Sequence, residues 1–333
     1  MYPDFIGIGA QKAGTTWLAR NLQLHPEIWM PPIKEVHYFD EKIEDPKNSI
    51  SRLLRRLSGK RDRDRRWRRQ VKGRSRRHLK NFSRQEFLWD LRYYVGRPDD
   101  KWYVSLFEPG KGKRVGEITP AYSTLDREAV AHVHSLVPDA KIILMMRNPI
   151  ERAWSQAAMR FDKAGKRPAD VGSSKRLRRL FEREGSRNRT DYLRTLQNWG
   201  SFYPEERIFV GFLEDVHFFP EELLRRLYEF LGVNPAFKPR GLGQKIHARS
   251  AGRVPTFPMV ELARTYVDEA YRLEERFEGY ASFWRHSVQS LAENPPPEDT
   301  VPYPFWESYL WSAWGGEARF QSSRLSAFGG QQR

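Results

Sequence analysis

Short apolar runs alternate along this chain with longer segments whose apolar residues recur at helical spacing. The apolar runs have strand length and cover residues 4–9, 115–118, 141–146 and 207–213. The helical segments cover residues 15–25, 127–137, 149–160, 192–199, 221–231 and 260–277. Continuous apolar strands of this kind are typical of a parallel sheet that is covered on both faces. The pattern therefore predicts an α/β fold with a central parallel sheet flanked by helices.

Two stretches of the chain depart from this alternation. Residues 41–113 contain no strong strand, and residues 295–333 are rich in proline and aromatic residues with weak periodicity. We interpret the chain as one domain, residues 1–333, with a basic insert at 41–113 and an aromatic C-terminal extension at 295–333. The aromatic side chains of the extension could stack on sugar rings or form a dimer contact, but packing is favoured because such side chains usually bury their area. They are Tyr303, Phe305, Trp306, Tyr309, Trp311 and Trp314.

The net charge of +16 is concentrated in one segment. Residues 51–84 contain 16 Lys/Arg and 2 Asp, whereas the rest of the chain contains 42 Lys/Arg and 40 Asp/Glu. Three interpretations are open for this segment: a solvated insert, a channel for an anionic acceptor, or a surface for nucleic acid. The motifs described next favour an acceptor or a membrane surface over nucleic acid.

Composition excludes several kinds of site. The chain has no cysteine, which removes disulfides, thiolate catalysis and cysteine-ligated metals, and no group of His, Asp and Glu has convincing metal spacing. No apolar run approaches the roughly 20 residues of a membrane span, and the first residues lack the pattern of a signal peptide. We therefore expect no metal and a cytoplasmic protein, with a peripheral position at a membrane surface as the alternative.

A glycine-containing loop follows the first predicted strand. Residues 9–16 read GAQKAGTT, which has the glycine spacing of the phosphate-binding pattern G-x-x-x-x-G-K-[ST]. Lys12 stands before the second glycine, and Thr15 occupies the usual lysine position. The run 141–146 ends in Arg147 instead of the aspartate that holds Mg²⁺ in nucleotide triphosphatases. The loop therefore suits an anion, and the sequence argues against the alternative of a P-loop kinase or NTPase.

Two motifs resemble those of the sulfotransferases that use 3′-phosphoadenosine 5′-phosphosulfate (PAPS). Residues 11–18, QKAGTTWL, resemble the loop that binds the 5′-phosphosulfate group. Residues 147–155, RNPIERAWS, resemble the 3′-phosphate motif, an arginine followed eight residues later by a serine. The resemblance implies the P-loop NTPase-like sulfotransferase fold and a metal-free, in-line transfer of the sulfuryl group from PAPS to an acceptor hydroxyl. The product of the donor would be adenosine 3′,5′-bisphosphate.

The resemblance also implies roles for individual residues. Lys12 would stabilise the negative charge that develops on the leaving oxygen, and Arg147 with Ser155 would hold the 3′-phosphate. Residues 243–253, GQKIHARSAGR, look like the loop that closes over the nucleotide phosphates, with Lys245 and Arg253 as phosphate ligands. The implied nucleotide-binding residues are Gln11, Lys12, Ala13, Gly14, Thr15, Thr16, Trp17, Arg147, Ser155, Lys245 and Arg253.

A third block resembles the acceptor cleft of the heparan-sulfate-type branch, a group that includes bacterial carbohydrate sulfotransferases. Residues 32–40, PIKEVHYFD, carry Glu35 as the implied base and His37 as the alternative base. The implied acceptor-binding residues are Lys34, Asp40 and Tyr122. Ile118 stands where this branch has a lysine, which argues against a heparan-like chain. We predict a hydroxyl acceptor on a carbohydrate or glycoconjugate, and the non-enzymatic alternative is a polyanion- or nucleic-acid-binding module built on residues 51–84.

Overall fold

The computed structural model describes residues 1–40, 49–163, 165, 181, 184–242 and 252–316. Its central strands are β1 Phe5–Gly9, β2 Ile28–Trp29, β3 Arg114–Ile118, β4 Lys141–Met146 and β5 Ile208–Phe212. They form one parallel sheet in the order β2-β3-β1-β4-β5. Every residue of β1 is buried, and so is every residue of β4 after Lys141. The predicted α/β fold with a central parallel sheet is thus confirmed.

Helices account for most of the remaining described chain. They are α1 Thr15–Leu24, α2 Ser49–Ser58, α3 Asp62–Lys80, α4 Arg84–Val95, α5 Asp100–Ser105, α6 Arg127–Leu136, α7 Pro149–Lys163, α8 Glu184–Arg187, α9 Tyr192–Gly200, α10 Leu213–Phe218, α11 Pro220–Leu231, α12 Thr256–Phe277, α13 Tyr280–Glu293 and α14 Tyr309–Trp314. Single turns of 3₁₀-helix lie at Glu108–Gly110, Pro120–Thr124, Glu205–Arg207 and Phe305–Glu307. None of the helices in the described ranges is long and apolar enough to cross a bilayer.

The helices that follow β1, β3 and β4 begin where the sequence predicts, whereas α10, which follows β5, has no counterpart among the predicted helices. Pro149 opens α7, where its missing N–H costs no hydrogen bond. Gly232 ends α11 with a φ of +72°, a left-handed conformation that glycine adopts without strain. The predicted helix 260–277 begins earlier, at Thr256.

The C-terminal part adds a helical pair and a small second sheet. α12 and α13 pack against each other, and α12 also packs on α7. β6 Gly252–Pro255 and β7 Thr300–Tyr303 form an antiparallel ribbon in which Gly252 faces Tyr303. Phe305 and Trp314 of the aromatic extension are buried, so packing, the favoured role, holds for these two side chains.

The insert folds as a helical layer, α2 to α5, with a core of its own. Its buried aromatic and aliphatic members are Trp67, Trp89, Tyr94, Tyr103, Leu106 and Phe107. The same core includes Val36 and Tyr38, which belong to the predicted acceptor block. The described part of the insert therefore packs directly against the segment that carries the candidate base.

Candidate active site

The glycine loop leaves the sheet at the carboxyl end of β1. The N–H of Ala10 donates to the carbonyl of Met145 on β4 at 2.6 Å, which holds the start of the loop on the neighbouring strand. Lys12 and Gly14 then take left-handed conformations, with φ of +77° and +82°, and α1 begins directly afterwards. The first N–H groups of a helix have no acceptor within it and carry partial positive charge. The loop and α1 thus have the strand–loop–helix geometry on which the sequence-based prediction of an anion site depends.

The loop side chains divide into buried and accessible groups. Ala13, Thr15 and Trp17 are buried, and the indole Nε1 of Trp17 donates to the carbonyl of Leu242 at 3.4 Å. Lys12 and Thr16, with Gln11 and Gly14, keep partial exposure. The Oε1 atom of Gln11 is buried and has no hydrogen-bond partner within the described chain.

Arg147 joins this loop to the second predicted motif. Its guanidinium is buried, and Nη1 donates to the carbonyl of Lys12 at 3.3 Å while Nη2 donates to the hydroxyl of Tyr303 at 2.6 Å. Its Nε lies 3.6 Å from a carboxylate oxygen of Glu151. Burial lowers the pKa of Arg147, but the interactions with Tyr303 and Glu151 raise it by more. The net shift of the pKa is therefore upward, and the guanidinium stays charged.

Two fully buried carboxyl groups lie near Arg147. Glu151 accepts a hydrogen bond from the backbone N–H of Phe305 at 2.9 Å, and Glu214 accepts one from the indole of Trp284 at 2.6 Å. Burial and the nearby Glu151 raise the pKa of Glu214 to about 8. Burial thus favours the neutral form of Glu214, which limits the negative charge behind Arg147.

The remaining predicted nucleotide residues are placed less directly. Ser155 is buried two turns along α7 from its start. Arg253 on β6 is exposed, and its guanidinium donates two hydrogen bonds to Thr300 of β7. Nε donates to Oγ1 and Nη2 donates to the backbone carbonyl, both at 2.7 Å. Lys245 lies outside the described residues. The structure thus brings Lys12 and Arg147 together, and it shows Arg253 on the ribbon that carries Tyr303.

The predicted acceptor residues form a chain of contacts. Nζ of Lys34 lies 2.9 Å from Oε1 of Glu35, and Oε2 of Glu35 lies 3.3 Å from Nε2 of His37. Nδ1 of His37 lies 2.8 Å from Oδ2 of Asp40. Glu35 and His37 both have positive φ, +70° and +58°, which L-residues other than Asn and Asp rarely adopt. Such strained backbone tends to occur at functional sites.

The contacts set the charge of both candidate bases. Burial raises the pKa of Glu35, but hydrogen bonds from His37 and Lys34 outweigh it and lower the pKa to about 2. Burial lowers the pKa of His37, but its bonds to Asp40 and Glu35 outweigh it and raise the pKa to about 10. At neutral pH these partners therefore favour a Glu35 carboxylate and a His37 imidazolium. Only the carboxylate can accept a proton in that state.

A residue of the insert reaches the same cluster. Nη1 of Arg66, on α3, lies 3.0 Å from Nε2 of His37. A guanidinium can donate to that nitrogen only when the imidazole is neutral and its proton is on Nδ1, facing Asp40. Glu35 and Arg66 therefore favour opposite protonation states of one nitrogen. The sequence pattern did not identify Arg66, because nothing distinguishes it from the other arginines of residues 51–84.

The acceptor segment is fixed to the sheet through Glu117 of β3. This carboxylate is buried and accepts hydrogen bonds from the hydroxyls of Thr119, Tyr103 and Tyr122 at 2.6, 2.9 and 3.1 Å. Oε2 of Glu117 also accepts from the backbone N–H of Val36 at 3.2 Å. Burial raises the pKa of Glu117, while these donors favour its ionised form.

Tyr122 extends this network to the candidate base segment. Its hydroxyl accepts the backbone N–H of Tyr38 at 3.0 Å, and its ring is completely buried. The predicted contact between Tyr122 and an acceptor is not favoured by this burial, since both partners of the hydroxyl lie within the protein. The geometry favours a positioning role for Tyr122 instead.

Comparisons with known proteins identify the family and the fold of the chain. The sequence model of a family described as "Sulfotransferase family" matches residues 3–238, more than half of the chain. A sulfotransferase structure from Alicyclobacillus acidocaldarius is similar in fold, with a TM-score of 0.54 and 23% identity, covering 83% of this chain and 95% of that one. The sulfotransferase domain of an olefin synthase from Synechococcus PCC 7002 aligns with a TM-score of 0.47 and 18% identity, over 79% of this chain and 94% of that domain.

One curated relative also matches part of the chain. It is the "Membrane-associated sulfotransferase kil1" of Dictyostelium discoideum, 27% identical over 158 residues. The match covers 46% of this chain and 22% of that protein, so the chain spans about a fifth of the length of the relative.

Proposed function

Because the chain belongs to the sulfotransferase family, we propose that it transfers the sulfuryl group of PAPS to a hydroxyl on a carbohydrate or glycoconjugate. The contact between Arg147 and the carbonyl of Lys12 carries this proposal. It joins the two motifs that the sequence assigns to the two phosphate ends of the donor, at the carboxyl ends of β1 and β4. Ligands of open parallel sheets bind at that edge.

We propose that the loop and α1 hold the 5′ end of the donor. The N–H groups of residues 14–17 would bind the 5′-phosphate, and Lys12 would neutralise the charge that forms on the oxygen that leaves sulfur. Arg147 and Ser155 would bind the 3′-phosphate, and Tyr303 orients the guanidinium for that contact. Bound PAPS supplies an activated sulfuryl group.

Glu35 is the base that we propose for the acceptor. In an in-line displacement the acceptor oxygen bonds to sulfur, the bond from sulfur to the phosphate oxygen breaks, and the acceptor proton passes to Glu35. Asp40 orients His37, and His37 with Lys34 positions the Glu35 carboxylate. Tyr122 and Glu117 hold the backbone of the segment.

Calorimetric titration with adenosine 3′,5′-bisphosphate in the absence of metal tests the donor site. We expect the bisphosphate to bind more tightly than ATP with Mg²⁺, and Arg147→Ala to weaken it about 10-fold to 100-fold because a charge-assisted contact is lost. Arg276→Ala, at an exposed position of α12, is the matched control and should bind as the wild type does. Preference for ATP with Mg²⁺ would favour the kinase or NTPase alternative and reject the proposed donor.

A further inference from the structure

The last turn of α3, the turn that follows it and α4 together expose a row of large apolar side chains. Leu79 is 87% exposed and Phe82 is 68% exposed. Phe87, Leu88, Leu91 and Val95 follow on α4, and helical geometry places these four within an arc of about 100°. The opposite side of α4 buries Trp89 against the insert core. We refer to these six exposed residues as the apolar stripe.

The neighbouring helix α3 presents a surface of opposite character. Its inward side carries Trp67, Val71, Arg74 and His78, and its outward side is basic. The exposed cationic residues of that side are Arg65, Arg69, Lys72, Arg76 and Lys80, which we call the cationic face. Their helical positions keep them on one side over more than four turns.

Ion pairs join the two helices into one hairpin. Arg74 of α3 donates to Asp90 of α4 at 2.8 and 3.0 Å and to Glu86 at 2.9 Å. Nε2 of His78 lies 2.7 Å from Asp90. Asp90 and Glu86 are thus already paired within the hairpin, so they do not offset the cationic face.

We propose that the α3–α4 hairpin binds the surface of an anionic lipid bilayer. The apolar stripe would enter the boundary between headgroups and acyl chains, and the cationic face would attract the lipid phosphates. The apolar stripe begins at Leu79, one residue before Lys80 of the cationic face, so apolar and cationic side chains are exposed side by side where α3 ends. A nucleic acid or polysaccharide would use the cations alone, and a second copy of the chain would bring two strongly basic segments together.

Co-sedimentation of the full chain with vesicles tests the proposal. We expect binding to vesicles of phosphatidylcholine with phosphatidylglycerol, weak binding to phosphatidylcholine alone, and release by high salt. Leu91→Gln and Leu88→Gln should each weaken binding about tenfold, since a buried leucine side chain is exchanged for a polar one. Lys72→Gln combined with Arg76→Gln should weaken it about fivefold per charge removed.

Two matched controls separate the hairpin from the rest of the surface. Leu24→Gln changes a leucine of α1 that is 48% exposed, against 50% for Leu91, and should not alter vesicle binding. Lys111→Gln with Lys113→Gln removes two exposed charges outside the hairpin and should have a smaller effect than the α3 pair. Circular dichroism checks that each variant is folded.

Several results would overturn the proposal. The first is equal binding to neutral and anionic vesicles, or binding to neither. The second is unchanged vesicle binding in both leucine variants. The cationic side chains alone would then account for the binding, without insertion of the apolar stripe. The third is a dimer without lipid that Leu91→Gln dissociates, because the apolar stripe would then be covered by a second copy. A further contradictory result would be weaker binding of dextran sulfate in the leucine variants. The apolar stripe would then contribute to binding an anionic polymer that has no acyl chains.

Discussion

At the scale of single residues, Nε2 of His37 decides which group can act as the base. Glu35 favours a proton on this nitrogen, whereas Arg66 can donate a hydrogen bond to it only when the nitrogen is unprotonated. Sequence resemblance singles out Glu35 and His37 but leaves the choice between them open. The structure adds Arg66 as a third contact of this histidine, and Arg66 lies on α3, 29 residues further along the chain.

Replacement of Glu35 tests the assignment of the base. Glu35→Gln keeps the size of the side chain but cannot accept the acceptor proton, so we expect kcat to fall about 10²-fold to 10⁴-fold. The affinity for adenosine 3′,5′-bisphosphate should be unchanged. Steady-state kinetics of Glu35→Gln and His37→Gln, measured side by side, checks the effect on kcat. A nearly normal kcat in Glu35→Gln, with no activity in His37→Gln, would assign the base to His37.

The ion pairs of His37 also predict how stability depends on pH. The pKa of His37 is raised from 6.5 to about 10, so its contribution is complete below pH 6.5 and is lost as the pH rises through about 10. The pKa of Glu35 is lowered from 4.5 to about 2, so its contribution is complete above pH 4.5 and is lost as the pH falls through about 2. Both are complete between pH 4.5 and 6.5.

Asp40→Asn removes one partner of the imidazolium. We expect the variant to lose free energy of unfolding relative to the wild type between pH 4.5 and 6.5, and the difference to narrow toward pH 10. Urea unfolding at several pH values measures it. Asp139→Asn, a surface carboxylate paired with Arg207, serves as the control and should show little difference. A difference that grows toward pH 10 would contradict the charge state of His37.

At the scale of elements, the sequence predicts the sheet better than the insert. The strands and their helices are marked by long apolar runs and by prolines and glycines at their ends, so local pattern alone identifies them. The inward side of α3 includes Arg74 and His78, and Nε of Arg74 and Nε2 of His78 both contact Asp90 of α4. These two polar residues at core-facing positions interrupt the apolar periodicity of α3. Strand β2 has two residues and is too short to show a periodic pattern.

The acceptor segment has no helix or strand, and its order comes from Tyr122 and Glu117. Tyr122→Phe removes the acceptor of the Tyr38 N–H and one donor to Glu117. We expect a loss of about 1–3 kcal/mol in the free energy of unfolding together with a lower kcat and an unchanged bisphosphate affinity. Denaturant unfolding and steady-state kinetics measure both effects.

Tyr203→Phe is the matched control for Tyr122→Phe. Tyr203 is equally buried, and its hydroxyl donates to the carbonyl of Val137, outside the candidate site. Its replacement should cost stability without lowering kcat. Equal losses of kcat in both variants would show that Tyr122 acts through general stability alone.

At the scale of the whole molecule, contacts between distant parts of the chain hold the proposed nucleotide site together. Arg147 and Tyr303 are 156 residues apart, and Glu151 receives the backbone N–H of Phe305. Packing preference predicts that the aromatic extension covers the core, and it does so at Phe305 and Trp314. No local pattern indicates that Tyr303 contacts the arginine of the second motif, since that contact depends on the pairing of β6 with β7.

This contact predicts that the extension contributes to donor binding. Tyr303→Phe leaves Nη2 of Arg147 without its oriented partner, and we expect the bisphosphate to bind about tenfold more weakly. Tyr309→Phe, in the same extension but with a 42% exposed side chain, should bind normally. Calorimetry compares the two. Unchanged affinity in Tyr303→Phe would mean that the loop carbonyl and Glu151 are enough to orient the guanidinium.

The shared core of the insert and the acceptor segment has a consequence for the order in which the molecule loses structure. The phosphate loop and Arg147 are anchored on the buried central strands, whereas Val36 and Tyr38 share a core with α3, α4 and α5. Regions with separate cores open as separate cooperative units. An opening of the insert would therefore disassemble the candidate base cluster and leave the loop and Arg147 in place, so the proposed nucleotide site would persist in a state that is unable to react.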